Sequence, residues 1–146
     1  TDPCVPNTVT LRRHKCLLPR LEYDFTGSPD LAQTLVVCCA LMDIKFHFKG
    51  LATLRIKETD RIEALKTELR KLGYVLHNVG DNEVFWDGER CEPTGEAIDT
   101  YEDHRMALAF APVALKCPGL QINNPEVVSK SYPDYWKDLQ TAGFTL

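Results

Sequence analysis

The sequence predicts an α/β fold built from stacked, repeated units, and three observations point to it. Strand-like and helix-like segments alternate along the chain. The helix exits LRKLGYVL (69–76) and LQTAGFTL (139–146) match in pattern and lie 70 residues apart. Each half also pairs one wholly apolar helix with one amphipathic helix. Together these favour repeated units over a single doubly wound sheet.

In chain order, RLEYDFT (20–26) reads as a strand and 29–42 as a buried helix. IKFHFK (44–49) alternates like a half-buried strand. Residues 58–72 place Ile62, Leu65, Leu69 and Leu72 at helical steps, and Gly73 ends that amphipathic helix. Strands at 74–79 and 83–87 meet around the turn residues GDN. The second pass predicts a short strand near 97–100, a buried helix at 102–116 and the strand LQINN at 120–124. An amphipathic helix at 130–142 follows, ended by Gly143, and FTL begins a last strand. The apolar helices should be covered on all sides, the amphipathic ones on a single face. Residues 1–15 read as the tail of a truncated preceding unit, 16–90 as one α/β repeat unit and 91–146 as another. The abrupt ends suggest an excised piece.

Composition excludes several classes. A chain of 146 residues can bury a real core, and 44% hydrophobic with 26% charged residues is an ordinary globular balance. A net charge of −4 lacks the basic field that non-specific nucleic-acid or membrane binding needs. The longest apolar run, LVVCCALM (35–42), is too short to span a bilayer. The opening TDPCVPNTVT is not a signal peptide. Six cysteines, at 4, 16, 38, 39, 91 and 117, form no Cys-x-x-Cys pair, so neither zinc nor a disulfide framework follows. Reduced, mostly buried thiols in a cytoplasmic protein are the better reading.

Four stretches could carry chemistry. In LRIKETDRIEAL (54–65), Lys57 and Arg61 are four residues apart, and Glu58 precedes Arg61 by three. Two cations at a helix N-terminus oppose the macrodipole, which a bound anion would reverse; a solvated face with a Glu58–Arg61 pair is the plainer account. In TYEDHRMALAFAPVAL (100–115), His104 and Arg105 stand at the entrance of an apolar helix that Pro112 should kink. An arginine there needs a partner, either Asp103 or an anion. In TGSPDLAQTL (26–35), Ser28 suits an N-cap, Pro29 the first helical position and Asp30 the first turn, which explains them without function. Lys130, in VVSKSYPDYW, is expected to open the last helix, with Pro133 in its first turn. Four cations at three helix starts suggest an anion pocket, with Asp30, Glu58 and His104 as proton-transfer groups nearby.

LRIKETDRIEALKTELRKLG, TYEDHRMALA, SPDLAQT and VSKSYPDYW, at their places in this chain, closely resemble the C-terminal part of the 5-enolpyruvylshikimate-3-phosphate (EPSP) synthase family. The resemblance runs from about residue 8 onward. It implies two-domain enzymes about three times this length, so this chain looks like the last third. The implied fold is an inside-out α/β barrel domain of β-α-β-α-β-β units, with helices buried and sheets outside. The implied reaction moves the enolpyruvyl group of phosphoenolpyruvate to the 5-hydroxyl of shikimate 3-phosphate, in the shikimate pathway of aromatic amino acid biosynthesis. It passes through a non-covalent tetrahedral intermediate and needs no metal or organic cofactor.

Carried over by resemblance, Asp30 matches the general base and Glu58 the carboxylate that moves a proton at the phosphoenolpyruvate methylene. Arg61, His104, Arg105 and Lys130 match groups that hold phosphoenolpyruvate or its analogue glyphosate, and Lys57 a lysine near the shikimate hydroxyls. Glu102 departs from the family pattern and brings an extra negative charge near the anion site. The family's N-terminal lysine, another arginine and the phosphate-binding serines lie outside this sequence, so the missing N-terminal domain is an implied partner. The chain alone is expected not to turn over. Two rivals are a non-catalytic α/β ligand-binding or interaction module and the related UDP-N-acetylglucosamine enolpyruvyl transferases, which share the repeated architecture.

Overall fold

The computed structural model describes residues 18–145, so the expected tail at 1–15, Cys4, Cys16 and Leu146 lie outside the described residues. The architecture is mixed α/β, with one four-stranded sheet ordered β1-β2-β4-β3. β1 (Arg20–Asp24) runs parallel to β2 (Lys45–Lys49), with Leu21 opposite Phe46 and Tyr23 opposite Phe48. Parallel neighbours need a crossover, and α1 (Ala32–Leu41) supplies it. β3 (His77–Val79) and β4 (Glu83–Trp86) form a hairpin, and β4 is antiparallel to β2.

The alternation in β2 decides which face is inside. Phe46 and Phe48 are fully buried, Lys45 and Lys49 are exposed, and His47 takes the outer face beside Phe85, ring centroids 5.8 Å apart. Phe25 packs edge-on against Phe48 at 5.1 Å. Each such ring contributes about 1.5–3 kcal/mol by leaving water. α1 packs against β2, and its buried residues share one core with Phe46 and Phe48.

α2 (Arg61–Lys71) starts later than the expected residue 58. Asp60 is its N-cap: one carboxylate oxygen accepts the amides of Ile62 and Glu63, both at 3.1 Å. Lys57 and Glu58 therefore precede the helix and do not share its first turn. The core stripe of Ile62, Leu65 and Leu69 is buried as expected, and Arg61 and Glu68 are buried with it. At the far end Gly73 is left-handed (φ 91), Tyr74 N donates to Leu69 O at 2.9 Å and Gly73 N to Arg70 O at 3.0 Å. α4 (Tyr135–Thr141) ends identically: Gly143 has φ 99, with Phe144 N to Leu139 O at 3.0 Å and Gly143 N to Gln140 O at 2.9 Å. The two matching sequence exits are one hydrogen-bonded motif.

The second half departs further from expectation. The strands expected at 97–100 and 120–124 reduce to a single parallel bridge, Ile98 to Ile122. Pro118 and Gly119 before it, and Asn124 (φ 49) with Pro125 after it, stop the ladder from extending. The helix expected over 102–116 is α3 (His104–Phe110) followed by a 3-10 turn, Ala111–Leu115, because Pro112 cannot continue the α-helical ladder. Lys130 does not open the last helix; it closes a 3-10 turn, Pro125–Lys130. Tyr132 and Pro133 belong to no helix, and α4 begins only at Tyr135. Phe144 and Thr145 form no strand.

α1 is not covered on all sides. Ala32, Gln33, Val36, Val37, Cys39 and Ala40 are buried, but Leu31, Leu35, Cys38 and Met42 leave an open apolar stripe at helical spacing. Its covered side packs on α3, where Gln33 Nε2 meets Met106 Sδ at 3.3 Å and Gln33 Oε1 has no partner. Among the described residues no helix is long and apolar enough to cross a membrane, and no group of three His, Cys, Asp or Glu could hold a metal.

Candidate active site

The starts of α1, α2 and α3 meet at one place, and Arg61 is its centre. Arg61 is 2% exposed although it is a permanently charged group. Its Nε donates to Asp103 Oδ2 at 2.6 Å and its Nη2 to Asp103 Oδ1 at 3.3 Å, a bidentate fork on a carboxylate that is itself fully buried. Nη1 donates to Asp30 Oδ1 at 2.8 Å, and Nη2 also donates to Glu58 Oε2 at 2.8 Å. Burying such an ion is tolerable because four of its five N–H groups meet carboxylate oxygens.

Each carboxylate reaches Arg61 for a local reason. Asp30 lies in the 3-10 turn Pro29–Leu31 that leads into α1, entered through Pro29; Ser28 stands before it, but its hydroxyl makes no cap bond. Asp103 is the N-cap of α3, where Oδ1 accepts Arg105 N at 2.8 Å, so it serves Arg61 and the helix start together. Its expected partner, the Arg105 side chain, points elsewhere. Glu58 sits in the loop before α2. Its own backbone amide above all, opposed next by desolvation and helped by weaker attractions to Arg61, His104 and Lys57, holds its carboxyl below the ordinary value.

The remaining cations ring this cluster with weaker ties. Lys57 Nζ is 3.6 Å from Asp30 Oδ1, and Arg105 Nη2 is 3.6 Å from Asp30 Oδ2, both beyond hydrogen-bond range. Arg105 Nη1 donates to the Asp30 carbonyl at 3.2 Å, and Lys130 Nζ to the Glu102 carbonyl at 3.3 Å. Lys57, Arg105 and Lys130 thus keep donors for a ligand, whereas Arg61 keeps a single Nη1 hydrogen. His104 is near enough to Glu58 to favour its ionised form. Among the residues singled out from the sequence, Asp30, Lys57, Glu58, Arg61 and Arg105 are thus joined by direct contacts, His104 lies near Glu58, and Lys130 reaches the group only through the Glu102 carbonyl. Of the expected cations at helix starts, only Arg61 and Arg105 occupy a first α-helical turn.

The sequence offers Arg105 either Asp103 or an anion as its partner, and it gives no role to Glu68 or Tyr101. Glu68 is fully buried, accepts Tyr101 Oη at 2.6 Å and pairs with Lys71 at 2.8 Å. The available signal was Glu68's place between Leu65 and Leu69 on the core stripe. An apolar groove of about 370 Å³, lined by Ala111, Leu120, Ile122, Pro125, Trp136 and Leu139, contains none of the charged cluster. Its lining offers no charge for an anion.

The family model for EPSP synthase (3-phosphoshikimate 1-carboxyvinyltransferase) matches residues 7–139, which include every residue of the cluster. The chain belongs to the EPSP synthase family. A 3-phosphoshikimate 1-carboxyvinyltransferase of Bacteroides fragilis is 58% identical over 137 residues, 93% of this chain and 33% of that protein. Proteins of the same name from Burkholderia ambifaria and Burkholderia vietnamiensis are 40% and 41% identical over 119 residues, 82% of this chain and 27% of theirs. The chain spans about a third of the length of the curated relatives it matches. Its α/β sheet and helices are consistent with part of an EPSP synthase domain.

Proposed function

We propose that this chain supplies one side of the active site of a 3-phosphoshikimate 1-carboxyvinyltransferase. Residues 16–90 and 91–146 are two repeat units of its domain, a reading supported by the shared helix-exit motif. The observation that carries the functional proposal is the bonding of two carboxylates, Asp30 and Glu58, to one buried guanidinium, with under-used cations around them. Arg61 fixes the two acids side by side. Lys57, Arg105 and Lys130 attract a substrate carrying both a phosphate and a carboxylate.

In this reading Asp30 takes the proton of the 5-hydroxyl of shikimate 3-phosphate as that oxygen bonds to C2 of phosphoenolpyruvate. Glu58 delivers a proton to C3, which gives the tetrahedral intermediate. The C2–O bond to phosphate then breaks as Asp30 returns its proton to the departing phosphate, and a proton leaves C3 to Glu58, which restores both carboxyl groups. Glu58 is held ionised in the chain alone, which suits the second half-reaction. The negative charge of incoming phosphoenolpyruvate would raise its proton affinity for the first. The rest of the site comes from the N-terminal domain, so the 146-residue chain releases no phosphate from the two substrates. The location is cytoplasmic.

The test is a chimera in which this chain replaces the corresponding third of the Bacteroides fragilis relative. The chimera should form product, and Asp30→Asn and Glu58→Gln should each lower kcat by about 10²–10⁴ while leaving the melting temperature within a few degrees. Near-normal rates in both variants would favour a non-catalytic binding module.

A further inference from the structure

The segment that delivers Asp103, His104 and Arg105 to the site is held in a conformation its residues do not favour. Tyr101 and Glu102 are both left-handed, with φ 54 and 56, and Asp103 N closes the turn onto Thr100 O at 2.9 Å. Positive φ at both central positions is the pattern of a type I′ turn, which favours Asn-Gly and similar pairs. A tyrosine and a glutamate there are strained, so the turn persists only if its surroundings over-determine it.

Glu68 provides those surroundings. From α2, fully buried, its Oε1 accepts Tyr101 Oη at 2.6 Å, while Oε2 accepts Asp99 N at 3.0 Å and lies 2.8 Å from Lys71 Nζ. Lys71 donates onward to the Asp99 carboxylate at 2.8 Å and the Ala97 carbonyl at 2.9 Å. Burial, then Glu68, pushes the Tyr101 phenol far above its ordinary value, so it remains a donor. Glu68 follows Arg61 by two helical turns on the same face of α2. One helix therefore grips the turn on both sides: Arg61 holds Asp103, and Glu68 holds Asp99 and Tyr101.

We infer that Glu68 and Tyr101 are positioning residues for the anion-binding end of the site, holding the 101–102 turn left-handed so that Asp103, Arg105 and the Glu102 carbonyl keep their places against Arg61, Asp30 and Lys130. The inference rests on the enolpyruvyl-transfer reading. Neither residue belongs to the ring of groups that faces a ligand; both act through the turn. The groups they place, Arg105 and Lys130, serve phosphoenolpyruvate, whereas Asp30 and Lys57 come from other elements. Loosening the turn therefore weakens one substrate selectively.

Glycine takes positive φ without strain, so Glu102→Gly supplies locally what the Tyr101–Glu68 bond supplies from outside. In the chimera, Tyr101→Phe should raise KM for phosphoenolpyruvate about tenfold, the effect of one lost hydrogen bond to a buried charge. KM for shikimate 3-phosphate should move less than about twofold, and the double variant Tyr101→Phe/Glu102→Gly should recover most of the loss. In the 146-residue chain, the Asp103 and Arg105 amides should exchange faster in Tyr101→Phe and slow again in the double variant. Equal changes in both KM values, no change in either, or a defect that glycine does not repair would overturn the inference. An unmodified chimera without transferase activity would instead remove the enolpyruvyl-transfer reading. Amide exchange would still decide the hold on the turn, and unchanged exchange in Tyr101→Phe would refute it.

Discussion

The two halves of the described chain share one helix-exit motif and differ in how much they bury. From β1 to β4 a four-stranded sheet closes over α1 and α2, with Phe46, Phe48, Leu54 and Leu65 almost fully shielded. From Ile98 onward the strand pairing among the described residues is one bridge, and α4 buries no residue. Trp136 and Leu139 of α4 instead line the open apolar groove. A repeated sequence pattern thus reproduces local hydrogen bonding, including the helix exits, without reproducing burial. Burial depends on what lies across from each apolar face. The less buried half is joined to the other by apolar packing of α3 on α1 and by ion pairs, chiefly Arg61–Asp103 and Lys71–Asp99.

The sharpest break of this contrast would come from side-chain deletion. Phe48→Ala should cost about 3–5 kcal/mol in urea unfolding, and Leu139→Ala on α4 under about 0.5 kcal/mol. Similar midpoint shifts for the two would mean that the halves are equally packed. At the junction, Asp103→Ala leaves the Arg61 cation buried without its fork and should cost about 3–5 kcal/mol. A cost under 1 kcal/mol would show that water reaches Arg61 in the variant.

The open stripe of α1 predicts concentration-dependent self-association of the chain, read by sedimentation and weakened by Leu35→Glu. A monomer at all concentrations would show that the stripe is covered in solution. The smallest effect concerns acid. Asn123, then Lys71, hold the Asp99 carboxyl below its ordinary value of 3.8, against a smaller opposing contribution from burial. Its contribution to stability is full above that value and is lost as pH falls through the lowered one. Asp99→Asn should therefore be less stable than the parent at neutral pH, with the gap closing in strong acid. A gap independent of pH would assign the loss to packing.

The first half was legible because its signals agree. Alternation in IKFHFK, the Ile62–Leu65–Leu69 stripe and Gly73 all specify the same local structure. In the second half LQINN carries a strand pattern, but the Pro and Gly before it and the Asn-Pro after it leave room for one bridge. The identity of the charged cluster was legible from residue types and spacing. The Glu58–Arg61 pair was legible as well, three positions apart, but the fork on Asp103, 42 positions away, was not, because only the packing of α3 beside α1 brings it to Arg61. The left-handed turn at Tyr101 and Glu102 was hidden for a related reason. It contradicts local preference and exists through Glu68, 33 positions from Tyr101.

Arg61 heads the fully buried side chains by volume, and it cannot shed its charge. Drift through sequence space is therefore barred from taking positions 61 and 103 one at a time, because either single loss strands an ion away from water. Descendants of this chain should keep both residues or replace both by apolar ones, since only the paired change leaves no ion buried alone.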